Sequence, residues 1–199
     1  NAKGGAGGNG GGMAYFICDG NISGTGQILA NGTNGQGTTS FTGNDGSGGG
    51  GGGGTIVFDA TGSISGVSAS ANGGAGGSQS LFGNEAEGPG GGGGGGYIAI
   101  SSGSITRTTN GGANGTTSSF SMTEFPSNGA TLGGQGLPNE TVSGFSISAY
   151  GDTICEGGTT FVYAVLTGSP PPGTTITWYD AVTGGNLVAS DDTFFTPVL

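Results

Sequence analysis

Two acidic loops are the first places where this sequence could do chemistry. Asn44-Asp45-Gly46 and Asn84-Glu85-Ala86-Glu87 occupy equivalent places, each just before a long glycine run. Carboxylates beside amide and backbone carbonyl oxygens are what Ca²⁺ prefers, so Asp45, Glu85 and Glu87 are the candidate metal ligands. Neither loop has the spacing of an EF-hand or of a nonapeptide calcium repeat. The Glu85/Glu87 and Asp191/Asp192 pairs also supply two carboxylates apiece, the minimum for glycoside hydrolysis. No aromatic cleft accompanies either pair, and solvated loop acids are the simpler expectation.

Other catalytic sets are missing at the level of composition. The chain has no histidine, which removes Ser-His and Cys-His dyads and imidazole metal sites. Lys3 is the single lysine, so Ser-Lys or Schiff-base chemistry would rest on a residue near a terminus. Polysaccharide lyases need basic groups clustered at the cleft, and Arg107 stands alone. Cys18 sits in an apolar stretch and reads as a small buried hydrophobe. G-x-G-x-x-G strings occur by glycine abundance, and no lysine follows them to make a phosphate loop. An enzyme is not expected, no catalytic residue is nominated, and calcium is the one cofactor considered.

Charge narrows the partners further. Two basic residues face twelve acidic ones, for a net charge of −10. Nucleic acid needs several Lys or Arg to displace counterions, so that partner is excluded, as is a basic helix on a membrane surface. No apolar stretch approaches the ~20 residues that span a bilayer. The chain begins with Asn and reads as a mature or internal segment. Its richness in Asn, Thr, Ser and Gly and its low Lys content suggest a secreted, extracellular protein. Cys18 and Cys155 fall in different expected domains and are not expected to pair with each other.

The elements that position these residues follow a repeat. Three times a glycine run leads into an apolar burst: Met13 to Cys18, Thr55 to Phe58 and Tyr97 to Ile100. Each burst is followed by a Gly and, two positions on, an isoleucine: Gly20 and Ile22, Gly62 and Ile64, Gly103 and Ile105. A phenylalanine recurs late in each unit, at Phe41, Phe82 and Phe120. A period near 41 residues marks a stacked repeat in which each unit buries its strand against its neighbours. Fifty-three glycines would normally imply disorder, but here they keep the period. Runs of seven must pack where a side chain would not fit, either in close strand stacking or at a polyproline-II-type axis.

Residues 1–144 are therefore expected to be an all-β, glycine-rich repeat region, a β-solenoid or β-helix with polyglycine-II-type packing as one option. Continuous apolar bursts such as Ile56-Val57-Phe58 predict strands buried on both faces. Six Asn-Gly pairs, at Asn31, Asn34, Asn72, Asn110, Asn114 and Asn128, predict positive-φ turns. The third unit is expected to decay after Phe120 into an irregular cap around Met122, Phe125, Pro126 and Leu132.

From Phe145 the composition changes. Strands are predicted at Phe161 to Leu166, Thr175 to Tyr179, Leu187 to Ala189 and Thr193 to Val198, with turns at Pro170 to Gly173 and Thr183 to Gly185. Alternation in Thr175-Ile176-Thr177-Trp178 puts Ile176 and Trp178 on one half-buried face. Ile154-Cys155-Glu156-Gly157-Gly158, the Trp178-Tyr179-Asp180-Ala181-x-Thr183-Gly184-Gly185 string and the closing Thr196-Pro197-Val198-Leu199 resemble an Ig-like domain. It is the CHU_C-associated type, which recurs in secreted multidomain proteins of gliding, Bacteroidota-type bacteria. Residues 145–199 would form a partial Ig-like β-sandwich, since such a fold needs ~7 strands. The family usually carries a second cysteine, which the resemblance implies as the partner of Cys155, and residues 145–199 hold no other cysteine.

The glycine-rich part is similar in rhythm to repeats of large type IX-secreted surface adhesins. Together the resemblances imply a structural segment of a cell-surface adhesin or filament serving attachment or gliding. Its partners would be extracellular surfaces or polysaccharide, the secretion and outer-membrane machinery, and further domains of the same long chain. The alternative is a polysaccharide-binding module using Tyr15, Tyr97 or Phe120. An ice-binding surface is a third option, weakened by the absence of regular Thr-x-Thr ranks. Asp152-Thr153-Ile154 resembles the O-glycosylation acceptor of the same bacterial group, which makes Thr153 the candidate modified residue.

Overall fold

The computed structural model describes residues 4–38, 45–81, 83–142, 145–168 and 173–198. Lys3, Phe41, Asn44, Phe82 and the turn residues Pro170 to Pro172 lie outside them. The chain is all-β, with one 3₁₀ turn at Phe120–Met122 and no α-helix among the described residues. It divides into two compact units, Asn1–Val142 and Ser143–Leu199.

In the first unit the apolar bursts form one parallel sheet. Strand β1 (Met13–Cys18) pairs with β4 (Thr55–Ala60), β4 with β6 (Tyr97–Ile100), and β6 with β8 (Leu137–Thr141). Met13 pairs with Thr55 and Thr55 with Tyr97, so each of these steps across the sheet is 42 residues. A second parallel sheet centres on β5 (Ile64–Ser70). Strands β2 (Ile22–Ser23) and β3 (Gln27–Leu29) pair with different stretches of β5, as does β7 (Ser104–Thr108). The core joins both sheets: Ile56, Phe58, Ala60, Ile98 and Ile100 meet Ile64, Ala69, Ala71 and Ala30.

Burial on both faces, expected from the apolar runs, holds in β6, where Ile98, Ala99 and Ile100 are all buried, but not in β4. In β4, Ile56, Phe58 and Ala60 are buried, while Thr55, Val57 and Asp59 between them are only half-buried. The core lies mainly on one side of this sheet, and on the other face Ala99 is buried while Tyr15, on the same register line, is exposed.

Both sheets run on into glycine segments. Residues 4–12, 46–54, 88–96 and 131–136 form a front row leading into β1, β4, β6 and β8. Residues 30–37, 71–78 and 109–116 form a back row continuing from β3, β5 and β7. Donors recur every third residue: the amides of Gly5, Gly8 and Gly11 donate to the carbonyls of Gly46, Gly49 and Gly52. Those of Gly48, Gly51 and Gly54 cross to Gln36, Thr33 and Ala30 in the back row. Gly74 and Gly77 return the crossing, donating to Gly51 and Gly48. Three residues per turn without internal hydrogen bonds is the polyproline-II repeat.

Neighbours dictate where glycine is compulsory. In the outermost segment 4–12, a Cβ would strike backbone at Gly5, Gly8 and Gly11 only. In the enclosed segment 46–54 it would strike backbone at Gly48, Gly50, Gly51, Gly53 and Gly54, while Gly49 and Gly52 have ordinary contact distances of 3.7 and 3.8 Å. One glycine per triplet thus marks a segment at the edge, and two mark one with neighbours on both sides.

That rule corrects the expected cap. The chain does turn irregularly at Phe120–Met122, but it then rejoins the stack. Gly92 donates to Thr131 and Gly133 to Gly112, both at 2.9 Å, and β8 becomes the fourth strand of the front sheet. Of the six Asn-Gly pairs, only Asn128-Gly129 has positive φ, at 40° and 84°. The others lie in extended segments, and three of their Asn side chains bond to the next repeat. Asn31 Oδ1 accepts from the Asn72 amide (2.7 Å), Asn34 Oδ1 from that of Ala75 (2.8 Å), and Asn72 Oδ1 from that of Asn110 (2.7 Å).

The second unit holds a three-stranded antiparallel sheet, β13 (Thr193–Phe195), β10 (Phe161–Gly168) and β9 (Phe145–Tyr150) in that order. Strands β11 (Trp178–Tyr179) and β12 (Leu187–Ala189) form a separate pair. Strand β9 went unforeseen, although Tyr150 stacks on Tyr163 at 5.1 Å. The strands expected at Thr175 to Tyr179 and Thr193 to Val198 are shorter than the sequence predicts. Ile176 and Trp178 are both half-buried, as the alternation requires.

Candidate functional site

Among the described residues, the acidic loops bring no cluster of carboxylates together. Asp45 is exposed, and its Oδ1 accepts from the Gly46 amide at 3.1 Å. A bond from Ser47 N to Gly88 O (3.2 Å) brings the Asp45 loop beside the Glu87 loop of the next repeat. The carbonyls a cation would need there are engaged. Asn84 O accepts from Ser121 Oγ at 2.8 Å, and Asn128 Nδ2 reaches the carbonyls of Ala86 and Glu87. Among the described residues, no three His, Cys, Asp or Glu side chains stand close enough to share a metal ion.

Two small cavities carry mixed linings. One, of about 280 Å³, lies in the second unit against Ile176, Leu166, Thr174, Asp191 and Asp192. Asp191 is occupied with local structure: its carbonyl accepts from Trp178 Nε1 (2.8 Å) and its carboxylate from the Asp192 amide (2.7 Å). The other, of about 180 Å³, lies beside Arg107, Asn110 and Gln135. Arg107 donates to the Glu140 carbonyl at 3.3 Å and tethers β7 to β8. Neither cavity pairs an acid with a base.

The nominated aromatics separate. Tyr15 and Tyr97 lie on one face of the front sheet, where Met13, Thr55 and Tyr97 share one register line and Tyr15 and Val57 the next. Phe120 belongs to the 3₁₀ turn instead. Tyr15 donates to Asp59 Oδ2 at 3.2 Å. Desolvation, then the Asp59 charge and this hydrogen bond, raise its pKa above the ordinary phenol value, so it stays neutral at physiological pH. Thr153 is exposed and its amide bonds to Asp152 Oδ1 at 2.7 Å, in a loop where a modifying enzyme could reach the hydroxyl. Cys18 and Cys155 are free thiols.

One polar constellation was not foreseen by residue type. Asp180 Oδ1 accepts from the Asn186 amide (2.7 Å), its Oδ2 from Asn186 Nδ2 (3.1 Å), and its own amide donates to the Asn186 carbonyl (3.1 Å). Gly184 takes φ 72°, and a Cβ on Gly185 would meet the Ala181 amide at 2.5 Å. The Asp-Ala-x-Thr-Gly-Gly-Asn string is thus the chemistry of the β11–β12 turn. The Asn186 side-chain bond, then its backbone bond, hold the Asp180 carboxyl below the usual range. A depressed folded pKa contributes stability that is present above the unfolded value of about 3.9 and is lost as pH falls through the folded one. An NMR titration of the Asn186 amide should show a midpoint below the ordinary aspartate value, and Asp180→Asn should abolish it.

No curated protein and no solved structure matches the chain. Residues 145–199 match the family model described as "Ig-like domain CHU_C associated", and the second unit is therefore an Ig-like domain of that type.

Proposed function

We propose that this chain is a structural segment of a large secreted cell-surface adhesin or filament, serving attachment or gliding. The first unit would be a solenoid-like stack with polyglycine-II-type packing, and the Ig-like unit one of its spacers. The observation that carries this reading is the repeat register itself. A constant 42-residue step joins Met13, Thr55 and Tyr97 across parallel strands. Amides of the glycine segments bond to neighbouring segments rather than to a site. Such a scaffold is acidic and, among the described residues, has no cluster of three His, Cys, Asp or Glu, which suits a spacer outside the cell. Export by the type IX route is what the glycine-rich rhythm would imply, and extracellular surfaces or polysaccharide would be the partners of such a segment. Antibody raised against residues 1–199 should label intact producing cells, and its Fab fragments should block their attachment to a surface. Labelling only after permeabilisation would sink the proposal.

Polysaccharide binding is the second reading, favoured by Tyr15 and Tyr97 on one sheet face. A glycan array in which Tyr15→Ala and Tyr97→Ala remove the same hits would support it.

A further inference from the structure

The two rows of glycine segments treat their outer faces differently. On the back row, outward amides are capped by side chains: Asn31 and Asn34 take those of Asn72 and Ala75, and Asn72 takes that of Asn110. On the front row, Asp45 Oδ1 caps the Gly46 amide (3.1 Å), and the outward amides further along the row have no such side-chain cap among the described residues. Segment 46–54 bonds to 4–12, to 88–96 and to the back-row segments 30–37 and 71–78. These four neighbours leave the amides of Gly49 and Gly52, and the carbonyls of Gly50 and Gly53, without partners among the described residues. The same holds one repeat on, for the amides of Gly91 and Gly94 and the carbonyls of Gly92 and Gly95. Gly49, Gly52 and Gly94 are exposed. Their glycines are not forced by the fold, because a Cβ at Gly49, Gly52, Gly91 or Gly94 would stand 3.6 to 3.9 Å from its nearest neighbour. A side chain fits the monomer at each of these positions, and glycine stands at all four.

The geometry points to an interface: the front-row face docks a second copy of this chain, face to face about a two-fold axis. Unpaired donors and acceptors at three-residue spacing are complementary to the same array running antiparallel. That is how the front row already meets the back row, Gly48, Gly51 and Gly54 bonding to Gln36, Thr33 and Ala30 in reverse order. An isologous contact needs such self-complementarity. Charge selects the same face. Copies of a chain with net charge −10 repel, yet residues 4–18, 46–58, 88–100 and 130–138 carry no charged side chain. The face continues onto exposed apolar groups, with Met13 80%, Tyr15 53% and Leu137 55% accessible. Four rows ~4.8 Å apart and ~40 Å long present roughly 700–800 Å², about what each partner of a stable interface buries. Docking would cover Tyr15 and Tyr97, so this use of the face and glycan binding exclude one another.

Sedimentation velocity of the full chain from 1 to 100 μM tests the proposal. A dimer is expected. Gly52→Gln and Gly91→Gln should each leave the circular dichroism spectrum and denaturation midpoint of the monomer intact while shifting the dimer dissociation constant at least about tenfold. Ala75→Gln, on the back row, should not shift it. A monomer throughout the range, or a dimer broken by Ala75→Gln and not by Gly52→Gln, overturns the proposal. Should a variant fail to fold, hydrogen exchange on the unaltered chain decides: the amides of Gly49, Gly52, Gly91 and Gly94 must gain protection as concentration rises, and unchanged exchange refutes docking.

Discussion

Gly51→Ala is expected to unfold the first unit or to cost at least about 3 kcal/mol, a large share of the 5–15 kcal/mol that stabilises a typical domain. The added methyl would fall onto the Asn9 carbonyl, with the Gly10 amide 3.0 Å away. Backbone cannot swing aside as a side chain end can. Displacing the segment also loosens the bonds from Gly51 to Thr33 (2.9 Å) and from Gly74 to Gly51 (2.8 Å). Each is worth about 1 kcal/mol net, and more when a buried partner is left unpaired. Gly12→Ala is the matched control, because a Cβ there meets nothing within 4 Å and the residue is exposed. It should be neutral, or stabilising by up to about 1 kcal/mol through the unfolded chain. Urea denaturation of both variants separates compulsory from optional glycine. Equal effects at the two positions would mean the segments are not packed as described.

The same distinction explains what could be read from the sequence. Ile56-Val57-Phe58 and its two counterparts announced the strands and their period, since an apolar burst repeated at fixed spacing has few other uses. The fourth strand, Leu137–Thr141, did not announce itself. Its segment has one neighbour fewer and needs glycine only at Gly133 and Gly136, so no run precedes it. Asn72-Gly73 looks like a turn because the dipeptide favours positive φ in isolation. Here Gly73 is glycine because the Gly93 carbonyl lies where its Cβ would be, and Asn72 because its amide oxygen bonds to the next repeat. Local chemistry cannot tell these causes apart. The acidic loops meet the same limit: the sequence shows oxygens near one another but not that Ser121 and Asn128 bond to the carbonyls there.

Phe58→Ala should destabilise the first unit by about 3–5 kcal/mol, the range for emptying a large buried aromatic site. Phe58 is 1% exposed at the centre of the front sheet, among the buried side chains of both sheets, and its ring stacks on Phe16 at 5.0 Å. Glycine segments bury little apolar surface, so hydrophobic stabilisation of this unit is concentrated in the strands, and Phe58 is the largest wholly buried side chain there. The cavity cannot collapse easily, because β4 is held in register on both sides, by β1 and by β6. Phe16→Ala removes the same stacking partner from a residue already 39% exposed, and should cost less than half as much. If the two substitutions lowered the thermal midpoint equally, the stack and not the core would dominate. If Phe58→Ala also sped exchange at Gly50 and Gly53, strand packing and glycine packing would be one cooperative unit. That coupling is expected, since both segments of the same chain share a single hydrogen-bond register with the repeat on either side.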